Sequence, residues 1–275
     1  MVQSTWPIDP DDPRAPPVEV WERLGPEERE RVVASLPAEV PLELHPPEGD
    51  PHRVPKEGAR DALDEFFRRT GRRIYVSSEL ATYYPNEPRF CPDILAVLDT
   101  DPRERSRWVV SHEGRGLDFV MEVHVSGDHD KDFRRNVERY ARLGIPEYFI
   151  FDRPEARLVG YRLREGGGAY ERLVPQAGRF TSEILGLELA VDGGMVRFYY
   201  GTAPLPFVDE LIGKLGSMVD ELTASRDAAA RRADQEAARA DQEAARADQE
   251  AARADQDAAR AAALEAELEA LKRRS

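Results

Sequence analysis

The chain has 275 residues, of which 41% are hydrophobic and 33% charged, with a formal net charge of −14. That length allows one catalytic-sized domain with an extension, and so acidic a chain excludes nonspecific nucleic-acid binding unless positive charge is gathered locally. Cys91 is the sole cysteine, which excludes an intrachain disulfide; with no apolar run near membrane-spanning length, a soluble cytoplasmic protein with no membrane partner is expected.

Residues 1–52 read as a proline-rich, acidic arm, with Asp9-Pro-Asp-Asp-Pro13 and Pro46-Pro47. A short helix is expected at Gly25–Ser35, where Pro26 suits a first turn; the rest of the arm is expected to be extended. Over Gly58–Thr70, Ala59, Leu63, Phe66 and Phe67 recur at helical spacing and Gly71 supplies the stop. Arg73–Tyr84 and Phe90–Leu98 read as strands linked through Pro85-Asn-Glu-Pro88, followed by a charged loop, Asp99–Arg107. Trp108–Ser111 suits either a short strand or a helix. Gly114-Arg-Gly116 then leads into the apolar run Leu117 to Val125.

Side chains alternate along a strand, so Val120, Glu122 and His124 share one face of that run, and Met121, Val123 and Val125 the other. A glutamate there is costly unless a metal, a proton or a partner charge compensates it. Asp93 opens the other short apolar strand and is its natural neighbour. Two carboxylates on adjacent strand ends hold a divalent cation through oxygen ligands, which is the central expectation. The rivals are a turn carboxylate for Asp93 and an ion pair with an arginine of the next helix for Glu122. That helix, Asp128–Leu143, buries Phe133, Val137, Tyr140 and Ala141, and it carries Lys131, Arg134, Arg135, Arg139 and Arg142. Asp132, Asn136 and Tyr140 form a stripe four residues apart, aimed at the strand ends or simply solvated.

Glu147–Asp152 and Leu158–Leu163 read as further strands, and Tyr170–Pro175 and Val196–Tyr200 as edge strands. Helices before and within the strand series predict an α/β domain around one mixed sheet, over residues 53–205. From Pro206 the period changes. Leu211, Leu215, Met218 and Leu222 step by four, three and four, as in a coiled-coil seam. The heptad Ala-Asp-Gln-Glu-Ala-Ala-Arg then recurs from Ala233, Ala240 and Ala247, and from Ala254 with Asp257 in place of Glu. Leu264, Leu268 and Leu271 restart a leucine seam out of phase with the alanines. Residues 206–275 are thus expected to be one long helix, about 100 Å at ~1.5 Å per residue, carrying a homodimer or higher oligomer. Small alanines make the middle of that helix a weak place to associate.

Taken together, Pro92-Asp93, Met121-Glu122-Val123, Asp132, Tyr140, Gly144-Ile-Pro-Glu-Tyr148 and Asp152 resemble the Uma-two family of the PD-(D/E)XK nuclease superfamily, over roughly Arg53 to Tyr200. The resemblance implies a restriction-endonuclease-like mixed β-sheet flanked by helices, and an endonuclease acting on DNA with Mg2+ or Mn2+. Asp93 and Glu122 would hold the metal, with the carbonyl of Val123 as a further ligand. Where such folds carry a lysine two residues after the glutamate, this chain has His124. Where relatives carry it one turn before the tyrosine, this chain has Asn136, which can hold water but brings no charge.

Other readings set the sharp against the plain. His124, Asp128, His129 and Asp130 could form a zinc site, or be loop and helix-cap residues. Asp64 and Glu65 offer an extra acidic group on the first long helix. Tyr83, Tyr84 and Trp108 stack on bases or pack in the core. The alternative to an enzyme is a degenerate nuclease fold that binds without cutting, oligomerised through its coiled coil.

Overall fold

A computed structural model of the chain describes residues 6–41 and 49–272. Pro46-Pro47 lies outside the described residues, as does the side chain of Leu271. Two compact units are present, Met1–Glu210 and Leu211–Ser275.

In the first unit, a single turn α1 (Val18–Trp21) precedes α2 (Pro26–Ser35), where the Glu28 carboxylate accepts the Gly25 N–H at 2.9 Å. The expected extension of this arm is corrected. Ala15 and Leu36 are buried with Ala81, Tyr83 and Val109 in a small core of their own, and the Asn86 N–H donates to the Ala15 carbonyl at 3.0 Å. Prolines deny the segment regular structure without denying it apolar burial, which non-local partners supply.

The next helix, α3 (Asp50–Thr70), begins eight residues before the expected start and contains Pro55. Proline has no N–H to offer the carbonyl four residues back. That carbonyl belongs to Pro51, and Arg153 Nη1 donates to it instead. Gly71, at φ 71°, ends the helix in the left-handed conformation.

The strands follow as β1 (Ile74–Ser77), β2 (Thr82–Tyr83), β3 (Ile94–Leu98), β4 (Trp108–Val109) and β5 (Phe119–His124), with a helical turn α4 (Val110–Glu113) after β4. Trp108–Ser111 is therefore strand and then helix. A π-helical turn, Lys131–Arg135, runs into α5 (Asn136–Arg142). Then come β6 (Glu147–Asp152), β7 (Arg157–Leu163), β8 (Tyr170–Arg172), β9 (Phe180–Ser182), β10 (Leu187–Asp192), β11 (Met195–Tyr200) and β12 (Ala203–Pro204).

One mixed sheet has the order β1-β3-β5-β6-β7-β8, with β5 and β6 parallel and the other pairs antiparallel. Its central strands β3, β5 and β6 are buried along their whole length. On one face, Met121, Val123, Phe149 and Phe151 meet Ala59, Leu63 and Phe67 of α3. On the other, Val120, Tyr148 and Ile150 meet Tyr140 of α5. The α/β architecture, a mixed sheet flanked by helices with a long C-terminal helix, is as expected.

The single-sheet expectation needs correction. A second sheet, β12-β11-β10-β9, places Val196–Tyr200 inside it rather than at an edge. Leu187, Leu189, Val196 and Phe198 turn one face of it into the α3 core, while the other face stays wet; such a half-buried sheet carries too few apolar residues per strand to stand out locally. A two-stranded parallel pair of β2 and β4 completes the strands.

The second unit is helical. α6 (Val208–Lys272) runs 65 residues without a break, as the alanine-rich repeat favours.

Candidate active site

β3 and β5 run antiparallel with Ile94 opposite Met121, so the register carried one step further sets Asp93 opposite Glu122. Asp93 and Glu122 thus lie side by side on neighbouring strands, linked through a backbone donor. The Asp93 N–H donates to Glu122 Oε2 at 3.2 Å, and the Val123 N–H donates to Asp93 Oδ2 at 2.7 Å. A strand residue directs its N–H and C=O to the same edge. The Val123 carbonyl therefore faces the edge where Asp93 sits. The cluster lies at the carboxyl ends of the parallel pair β5 and β6, the end at which α/β sheets commonly place ligands.

Glu122 is 3% exposed and Asp93 7%. Burial, then the charges of Asp93 and Asp132, push the Glu122 carboxyl well above the usual carboxylate range. Burial would raise Asp93 as well, but the bond and charge of His52, the Val123 N–H and the charge of Lys56 outweigh it and hold it low. The neighbours thus drive two adjacent carboxyls apart in acidity. Among the described residues no arginine is paired with Glu122: Arg134 pairs with Asp130, Arg135 with Asp128, and Arg139 lies by Glu87. Instead Tyr140 donates its hydroxyl to Glu122 Oε1 at 2.8 Å.

The Asp132, Asn136 and Tyr140 stripe is not a solvated shoulder: all three side chains are buried, Asp132 from the π-helical turn and the other two from α5. Asp132 Oδ2 lies 3.1 Å from His124 Nδ1, and its Oδ1 accepts the Asn136 amide at 3.2 Å. His124 is on the face of Glu122, as alternation requires, yet its Nδ1 is committed to Asp132. Burial raises the Asp132 carboxyl, opposed by Lys131 and His124.

Two residues that sequence reasoning missed complete the site. His52 Nε2 lies 2.8 Å from Asp93 Oδ2, and Lys56, one turn along α3, is buried and ion-paired to Glu79. The signal was present: His52, Lys56, Ala59 and Leu63 extend the helical stripe backwards at spacings of four, three and four. Cys91 stands beside these groups, its thiol pushed up to about 12 by burial and then by the charges of Glu122 and Asp93.

Other candidates resolve differently. Glu65 pairs with Arg68 and Asp64 is exposed, so neither joins the cluster. Tyr83, Tyr84 and Trp108 are core residues. Asp128 and Asp130 serve Arg135 and Arg134, and His129 stacks on Phe133. Among the described residues no three His, Cys, Asp or Glu side chains converge as a ready metal cage.

Comparison with known families matches residues 37–192 to one described as "Uma2: Putative restriction endonuclease". Among solved structures, a chain described as a "putative nuclease belonging to DUF820" from Anabaena variabilis is similar at 17% identity, with a TM-score of 0.36 over 47% of this chain and 73% of that one. No curated protein matches.

Proposed function

The chain belongs to the Uma2 family, described as "Putative restriction endonuclease", and we propose that it is a divalent-metal-dependent DNA endonuclease that hydrolyses phosphodiester bonds, with the activity in residues 53–205. The observation that carries this reading is the Asp93–Glu122 pair, two buried carboxylates joined through the Asp93 N–H at one sheet edge. Their donor set suits Mg2+ or Mn2+: Asp93, Glu122 and the Val123 carbonyl offer only oxygen, which hard cations prefer. A cation there would also offset the burial and the neighbouring acidic charges that push Glu122 upward. When bound, such an ion polarises a phosphodiester and lowers the pKa of a water molecule.

The chain's own residues set the stage for that chemistry. His52 and the Val123 N–H fix Asp93; Tyr140 and the Asp93 N–H fix Glu122. Asp132 orients His124, leaving Nε2 as the ring nitrogen that can meet substrate, and holds Asn136 beside it. These two assist in the place of the absent lysine. Positive charge from Lys56, itself paired with Glu79, and from Lys131 acts on the carboxylates of the cluster. The single cysteine suits a reducing cytoplasm, and no described helix is long and apolar enough to cross a membrane. Self-association through the C-terminal helix would bring two sites into one particle, as cutting both strands requires.

A second reading is a binding module that does not cut. It is favoured by one observation: His124 and Asn136, which stand where a lysine is usual, are both held by Asp132. Plasmid nicking with magnesium or manganese separates the two. The enzyme reading expects metal-dependent nicks that disappear in Asp93→Ala and in Glu122→Ala. Absence of nicking with either metal, beside retained DNA binding, favours the module. Calorimetric titration of the metal into wild type and Glu122→Ala tests the ligand set independently of activity.

A further inference from the structure

We infer that a second copy of this chain docks on the apolar stripe from Leu211 to Leu222, and that the alanine heptads beyond it stay unpaired and act as a spacer. This rests on the reading that the chain self-associates through its C-terminal helix, and it names the part of the helix responsible. The stripe is unusually bare. Ile212, Leu215, Met218, Val219 and Leu222 are each 57–69% exposed in the single chain. Leu211, Leu215, Met218 and Leu222 occupy alternating d and a positions of one heptad frame, and Ile212 and Val219 widen the seam at e. Gly213, Ser217 and Asp220 fall outside it. Ten large side chains that are more than half exposed, five from each copy, are of the size that closes an interface of roughly 1,000 Å².

The alanine repeat cannot continue that seam. Carrying the leucine frame onward puts Glu236, Glu243, Glu250 and Asp257 at a, and Arg239, Arg246, Arg253 and Arg260 at d. A pairing in that frame would bury charged layers. Moving one residue along sets Ala237, Ala240, Ala244, Ala247, Ala251 and Ala254 on the seam instead. The flanking e positions are then Asp241, Asp248 and Asp255, and the g positions Glu236, Glu243 and Glu250. A parallel pair sets g against e of the other helix, and an antiparallel pair sets e against e and g against g. Acid meets acid in both. Within one helix the same charges are satisfied, because Arg239, Arg246 and Arg253 each have Glu three residues before and an acid four residues after. The repeat is built to be a helix on its own. Leu264 returns to the leucine frame only after it ends.

Sedimentation equilibrium on the full chain tests this directly. Wild type is expected at twice its 31.0 kDa mass. Leu215→Lys with Leu222→Lys is expected at the single-chain mass with its helical circular dichroism kept. A chain lacking Ala233 to Arg260, a deletion of four whole heptads, is expected to keep the doubled mass. A single-chain mass for wild type would sink self-association itself. A doubled mass that survives the two lysines, or is lost with the deletion, would leave self-association standing and overturn this assignment.

Discussion

The bond from Tyr140 to Glu122 is the most direct probe of the site, because it can be removed by one oxygen. The hydroxyl donates to Glu122 Oε1 at 2.8 Å, with Tyr140 2% exposed and Glu122 3% exposed. Water does not screen such a bond or replace it. Hydrogen bonds to a charged group contribute about 1.5–3 kcal/mol and those between neutral groups about 0.5–1.5 kcal/mol. Tyr140→Phe should therefore cost about 2 kcal/mol when Glu122 is ionised, a fall of roughly 4–8 °C in Tm for a unit of this size. In a Glu122→Gln background the partner is neutral, and the cost should drop to about 1 kcal/mol. Urea unfolding of the four chains, followed by circular dichroism, closes the double-mutant cycle. The coupling should grow as pH rises through the elevated pKa of Glu122, since only the carboxylate makes the stronger bond. If Tyr140→Phe costs the same in both backgrounds from about pH 5 to about pH 9, the charge on Glu122 plays no part in the bond and the electrostatic account of the site is wrong.

Three further outcomes are expected. Folded Glu122 titrates well above its ordinary value of 4.5, so the native chain keeps a proton the unfolded chain has released. That contribution is complete below about pH 4.5 and is lost as pH rises towards the folded pKa, so metal-free wild type should lose stability relative to Glu122→Gln over that window, and added magnesium should narrow the gap; a rising trend would refute this. Arg105 clamps Glu113 with bonds of 2.9 and 3.0 Å, both side chains are nearly buried, and its guanidinium lies 4.5 Å from the centre of the Tyr75 ring. Arg105→Ala should cost about 1–3 kcal/mol, since Arg103 Nη2, 3.3 Å from Glu113 Oε1, still offsets part of the acid, and Glu113→Gln in the same chain should recover part of it, measured by urea midpoint. At Gly160, a Cβ would stand 2.6 Å from Cε1 of the buried Phe149. Gly160→Ala should lose about 1–3 kcal/mol, and Phe149→Leu should soften that loss; equal losses in both backgrounds would show that the ring is not the obstacle.

Local chemistry determined a good deal. Alternation along Phe119–His124 put Glu122 and His124 on one face, and strand, glycine and proline signals bounded the central strands. The heptads fixed α6, because helix propensity and period act within a few residues of chain. What pairs with what was not local. Pro55 masked the start of α3, and in the fold Arg153, far along the chain, donates to the Pro51 carbonyl that Pro55 cannot serve. That extension brings His52 and Lys56 to Asp93. Period left Asp132 and Asn136 either aimed at the strand ends or solvated, and only the packed fold shows them buried. The N-terminal segment and the second sheet take their places from apolar partners far along the sequence. Short-range preferences select elements, whereas the low-dielectric contacts that raise one carboxyl and hold down its neighbour exist only once distant strands have closed on each other.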